Sequence, residues 1–168
     1  MNCRGLMTLV LASGVGLWLS TARAEISDAD KAFLDTMAAT DMAEVELSRM
    51  AVSQALSSPV RDFAQTIASD HGENYQALVD LCRDKKYAVT PRIDATHGVV
   101  MGKLRSADSP EAAERAYVDA IAADQAAIDS LLEKTAGNSN DADIARFAAD
   151  TLAVVKNHED SAKQLASR

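Results

Sequence analysis

The chain has 168 residues, with 17 basic and 25 acidic side chains and a formal net charge of −8 at pH 7. That length fits one domain. The acidic balance argues against nucleic acid and anionic membrane surfaces as partners, because binding phosphates takes clustered Lys and Arg.

The chain opens with Met1-Asn-Cys-Arg4, one positive charge, followed by an apolar run from Leu6 to Leu19. Thr21-Ala22-Arg23-Ala24 then places small residues at both positions of an A-x-A cleavage signal. The pattern is that of a secretory signal peptide, cut after Ala24 and delivering the rest to the periplasm or outside the cell. The run is shorter than the roughly 20 residues of a membrane span. Cys3 precedes it, so it is not placed as a lipid-attachment cysteine would be. Without Arg4 and Arg23 the mature 144 residues hold 15 basic against 25 acidic side chains, a net charge of −10. Cys82 is then the one remaining cysteine, so no intramolecular disulfide can form. It falls on an apolar stripe and reads as a small buried hydrophobe. No later segment is apolar for long enough to cross a bilayer.

The mature chain is rich in Ala, Leu, Asp and Glu, with Val, Ile and Thr scattered rather than alternating, which predicts helix throughout. Ser27-Asp-Ala-Asp30 is a capping-box-like start, and the first long helix runs from about Asp28 to Ser57. Ser58 as N-cap with Pro59 at the first helical position starts a second, over Pro59–Lys86. The linker Tyr87–Ser109 contains Pro91, Gly98 and Gly102, with room for one short helix near Ala95–Arg105. Ser109-Pro110 repeats the capping device and opens a third long helix over Pro110–Ala136. Gly137-Asn-Ser-Asn-Asp141 stops it and starts a fourth over Asp141–Ala166. Tight connections make the first and second, and the third and fourth, antiparallel hairpins. The long linker runs back along the bundle between them. The expected fold is therefore all-α, a ferritin-like four-helix bundle with a crossover. A weak internal repeat aligns Phe63–Asp70 with Tyr117–Asp124.

At 100° per residue each long helix carries one apolar stripe. In the first it is Phe33, Met37, Thr40, Glu44, Leu47, Ala51 and Ala55, with Glu44 central. In the second it is Val60, Ala64, Ile67, His71, Tyr75, Leu78 and Cys82, with His71 central. The third gives Tyr117, Ile121, Asp124, Ile128 and Leu131, centred on Asp124. The fourth gives Ile144, Phe147, Thr151, Val154, His158, Ala162 and Leu165, centred on His158. Glu44 lies 14 positions before Ser58 and His71 lies 13 after it, so the two should meet at one height. Asp70, at the edge of its stripe, is a second-tier candidate as an acceptor behind the ligands. The repeat pairs Asp70 with Asp124, which conflicts by one residue with the stripe centres. His97, beside Gly98, is expected to be exposed in the linker.

A buried carboxylate is costly unless paired or bound to metal. Glu44, His71, Asp124 and His158 are a donor set suited to one divalent ion, Zn²⁺ or Fe²⁺. The same four residues equally suit a polar layer in which acids and imidazoles satisfy each other. A di-iron centre wants Glu-x-x-His on two helices, and Ala68 and Val155 stand where those glutamates would be.

"AEVELSRMA", "FAQTIASDHGENYQAL", "AYVDAIAADQAAIDSLLEK" and "FAADTLAVVKNHEDSAKQLA" resemble, in order and spacing, the bacterial family called domain of unknown function 4142. The resemblance covers about Phe33 to Leu165 and implies a ferritin-like bundle with a signal peptide or membrane-associated leader. Its most specific parts are Asp70-His71 and the Thr151-Leu152…His158 spacing. The chain departs from the family pattern at Asp124-Gln125, where a second Asp-His pair is common, and at Ala153, where Pro often follows Thr-Leu. The first departure removes a possible ligand.

Two functions remain open on these residues. One is an exported ferritin-like protein binding a divalent metal. The other is a metal-free helical module that binds a protein partner or senses envelope stress. No nucleophile elbow and no Cys-His or Ser-His signature points to a hydrolase.

Overall fold

A computed structural model describes residues 25–167 apart from 55 and 91. The expected leader over residues 1–24, Ala55 of the first stripe and Pro91 of the linker lie outside the described residues. The described residues form α1 (Asp28–Ser53), α2 (Ser58–Asp84), α3 (Ala95–Arg105), α4 (Pro110–Asn138) and α5 (Ala142–Ala166). None is long and apolar enough to cross a membrane.

The caps explain the boundaries. Ser27 Oγ accepts from Asp30 N at 3.1 Å, the capping bond expected at the start of α1, and donates to the Asp30 carboxylate at 2.7 Å. Ser109 and Asp141 accept from the first turns of α4 and α5. At α2 the expectation needs correction: Ser57 is the N-cap and makes no side-chain capping bond, and Pro59 sits inside the first turn. Instead the Ser57 N–H donates to the Glu114 carboxylate of α4. α1 accordingly stops at Ser53, four residues short of the expected end. At the other end of α2, Lys86 adopts φ 57°, and Tyr87 N–H returns to the Cys82 carbonyl at 2.9 Å. That left-handed residue closes the helix in the manner usually served by glycine.

The long helices form two hairpins, α1–α2 and α4–α5, joined by a crossover containing α3. Phe63 of α2 and Tyr117 of α4 stack edge to face at one end, within a cluster that includes Leu47 and Ala162. Leu78, Leu132, Met37 and Ile144 share the cluster at the other end. α2 and α4 are therefore parallel, as are α1 and α5, and the hairpins are related by a pseudo-two-fold along the bundle. Burial follows it. Asp30, Leu34, Met37, Asp41, Glu44 and Ser48 of α1 are buried, and so is each residue 114 positions later in α5. In α2 and α4 the corresponding offset is 54, pairing His71 with Gln125. α3 packs across the α1–α4 seam through Met101 and Leu104, and Gln54 Nε2 donates to the Leu104 carbonyl at 3.0 Å.

Candidate functional site

Between the two apolar clusters lies a polar layer centred on His71. Its ring is held on both sides: Nδ1 is 2.8 Å from Asp41 Oδ1 and Nε2 is 2.9 Å from Glu44 Oε2. All three side chains are buried. Gln125 Nε2 donates to Glu44 Oε2 at 2.7 Å and lies 3.1 Å from His71 Nε2, so one carboxylate oxygen collects both donors. Asn74 Nδ2 donates to the second Asp41 oxygen at 2.8 Å, and Thr151 Oγ1 donates to Asn74 Oδ1 at 2.8 Å. Tyr117 and Ser48 hydroxyls meet at 2.7 Å one turn away. His158 stands 5.4 Å from His71 between ring centroids, and its Nε2 is 2.9 Å from Asp70 Oδ2.

Burial opposes charge on His71, but the Glu44 charge, the bond to Asp41 and the bond to Glu44 outweigh it and push its pKa up to about 10. It is an imidazolium clamped between two carboxylates. Burial raises the Asp41 carboxyl too, against the bonds from His71 and Asn74. Both shifts run the same way, so the His71–Asp41 pair holds its protons tightly. His158 goes the other way. Burial lowers it, the His71 cation adds to the effect, and Asp70 only partly offsets them. A neutral His158 with Nε2–H donating to Asp70 leaves Nδ1 as a free acceptor, and that atom is buried without a partner, as are Glu44 Oε1 and Gln125 Oε1.

The structure brings together Glu44 and His71 as the hairpin spacing predicts, with His158 beside them. Asp124 is not with them. It is half-buried and turned to the neighbouring seam, 3.2 Å from His97 Nε2. Gln125 takes the inward position in α4, as the one-residue conflict with the repeat had signalled. His97 is also not an exposed loop residue: it is 7% exposed, sits in the first turn of α3 and lies 3.0 Å from the α3 cap, Asp94. The contact with Asp124 raises its pKa to about 9 against the opposing effect of burial. In α5 the inward apolar position beside His158 is Val155, while Val154 is 40% exposed; in α4 Leu132 is buried where Leu131 was expected.

As placed, His71 offers neither ring nitrogen to a metal ion. Among the described residues no three of His, Cys, Asp and Glu are grouped to hold one. Asp41 was missed from the sequence, although Met37, Asp41, Glu44, Ser48 and Ala51 form an unbroken run of i+3 and i+4 steps, all buried. Cys82 is buried and unpaired, and burial, helped by the Asp35 charge, pushes its thiol up to about 11. It is a packed, protonated thiol.

The family described as "Domain of unknown function (DUF4142)" matches residues 19–165. The chain belongs to this family. No curated protein matches it. Among solved structures it is similar to the crystal structure of a DUF305 fragment from Deinococcus radiodurans, with a TM-score of 0.75 and 14% identity. That match covers 86% of this chain and 99% of the fragment, and at such low identity it shows the helical-bundle fold alone.

In this DUF4142 chain the polar layer borders a cleft between α2 and α5. The cleft has a volume of about 460 Å³, with His71, Asn74, Thr151 and His158 at its floor. Phe147, Val154 and Ala77 give it an apolar wall, and Asp70, Glu73 and Asp150 an acidic edge. Its size is that of a small-ligand or side-chain pocket.

Proposed function

We propose that the protein is an exported helical-bundle module that binds a partner in the α2–α5 cleft, with the His71 layer as its rigid floor. The observation that carries this reading is the cleft itself. An apolar wall and an acidic edge converge over buried imidazoles, while both ring nitrogens of His71 are satisfied from within. A pocket with a few oriented polar groups on rigid helices is the usual form of a binding site. To test it, a photoreactive benzoylphenylalanine is placed at Val154 in the cleft or at Glu46 on α1, and the native cells are irradiated. Adducts at Val154 and none at Glu46 are expected; none at either position would remove the reading. Export rests on the charged start, short apolar run and Ala22-Arg-Ala24 of the sequence. The exported protein should have an intact mass beginning at Glu25, and retention of Met1–Ala24 would contradict it.

A second reading, one divalent ion such as Zn²⁺ or Fe²⁺ in the layer, is favoured by the three buried acceptors Glu44 Oε1, Gln125 Oε1 and His158 Nδ1. Metal would have to compete with the proton on His71. Zn²⁺ should then raise the melting temperature of metal-free protein at pH 7, lose the effect near pH 5, and have none on His158→Ala. An unchanged melting temperature at pH 7 ends that reading.

A further inference from the structure

The pseudo-two-fold makes the α1–α4 and α2–α5 seams equivalent, yet they are finished differently. α3 lies along the first, with Met101 and Leu104 turned inward, Lys103 and Arg105 in its last turn, and His97 set on Asp124. No described element lies along the second. There the equivalents of Tyr117 and Asp124, which are Phe63 and Asp70, line an open groove. It continues the central cleft toward Leu165 at one end, through Asp70, Val154 and His158, and toward Asp84 at the other, through Phe147 and Asp150. Along α2 from Pro59 to Asp84 the groove runs on the order of 38 Å, the length of about seven helical turns.

The charge on this groove is one-sided. Asp62, Glu73, Asp84 and Asp150 are exposed along it, and none makes an ion pair among the described residues. Among the described residues Arg146 is the one Lys or Arg lining it, and the His71 cation at its floor is already clamped by Asp41 and Glu44. Phe63, Phe147, Val154 and Leu165 supply a broken apolar strip between these carboxylates. An apolar strip with charged borders is what a helix-in-groove partner reads, and the sign of the borders sets the sign of the partner.

We propose that the α2–α5 groove docks a basic amphipathic helix of a partner protein, lying against the bundle as α3 lies against the opposite seam. This deepens the binding reading and rests on it. The partner's apolar face would cover Val154 and Phe147, and its Lys or Arg residues would reach Glu73, Asp150, Asp62 and Asp84.

The probe is a synthetic 18-residue amphipathic helix of Leu and Lys, titrated into the mature protein while backbone amide resonances are followed by NMR. Controls are the Leu and Glu counterpart and a scrambled Leu and Lys sequence. Shifts confined to α2 and α5 are expected, with affinity at least 10-fold weaker for both controls. Glu73→Lys/Asp150→Lys should weaken binding at least 10-fold. Glu46→Lys/Asp119→Lys, the same change of charge on exposed sites of α1 and α4, should leave it within 2-fold. Equal losses in the two double variants would mean general charge attraction and overturn the proposal. Equal binding of the Glu peptide, shifts spread outside the groove, or a self-associated protein with the groove already covered would each overturn it as well. Cross-linking at Val154 in cells without binding of the basic peptide would leave the cleft as a binding site and reject this partner class. Binding of the peptide with no adduct at Val154 in cells would remove the cleft reading and this proposal with it.

Discussion

Replacing His71 by Ala should destabilise the protein by about 3–5 kcal/mol, because it leaves two buried carboxylates without the cation between them. The size of the effect follows from geometry. Asp41 Oδ1 and Glu44 Oε2 face opposite sides of one ring at 2.8 and 2.9 Å, and neither can reach solvent. Chemical denaturation followed by far-UV circular dichroism measures it. The triple variant Asp41→Leu/Glu44→Leu/His71→Leu provides the contrast. Removing all three charges together should recover most of the loss, since an apolar replacement of a buried ion cluster is often neutral or stabilising. A loss below about 1 kcal/mol for His71→Ala would mean the clamp is not ionised as the distances imply.

Much of this was legible in the sequence. Caps at Ser27, Ser109 and Asp141 and the 3.6-residue periodicity define where helices stand, because both depend on local chemistry. The height match of Glu44 and His71 follows from counting residues on either side of a tight turn. The facing residue on α4 does not follow from counting. In a bundle each helix touches two neighbours, so its buried arc is wider than one stripe, and Thr40 and Asp41 are both inside. Within such an arc an ionisable side chain draws attention first, and that choice favoured Asp124 over Gln125. Asp124 points instead at α3, an element whose docking depends on long-range packing of Met101 and Leu104. The same contact buries His97, which no local signal in a Pro- and Gly-containing linker reveals. The alignment of Phe63–Asp70 with Tyr117–Asp124 was the signal that pairs His71 with Gln125. Its two-fold meaning appears only when the hairpins are seen side by side.

Stability should fall steadily as pH rises from 7 toward 10, and the histidines set the direction. His71 is raised to about 10 and His97 to about 9 in the folded protein, against about 6.5 in an unfolded chain. A raised group binds its proton more tightly when folded. Its contribution is therefore complete below about pH 6.5, erodes above it as the unfolded chain alone loses the proton, and is gone once the folded group also titrates. For His71 the slope is about 1.4 kcal/mol per pH unit within that window, an upper figure for one proton. The lowered His158 acts on the acid side: below about pH 6.5 the unfolded chain takes up a proton that the folded chain resists, and stability declines there as well. A maximum close to neutrality results. The two histidine contributions separate by substitution, and the Cys82 thiol, raised to about 11 from 9.0, adds its own decline above about pH 9. His97→Ala should flatten the curve below about pH 9 only in part, because His71 still titrates later, and should loosen α3 rather than the bundle. His71→Gln, which keeps a donor but cannot carry charge, should remove the larger share and leave only the shallower His97 decline, which is complete by about pH 9. Unfolding free energies measured by urea titration at half-unit steps from pH 6 to 9.5 provide the curve. A wild-type profile level across that range would show that His71 is not held as a cation, and the clamp between Asp41 and Glu44 would then be a neutral hydrogen-bonded contact.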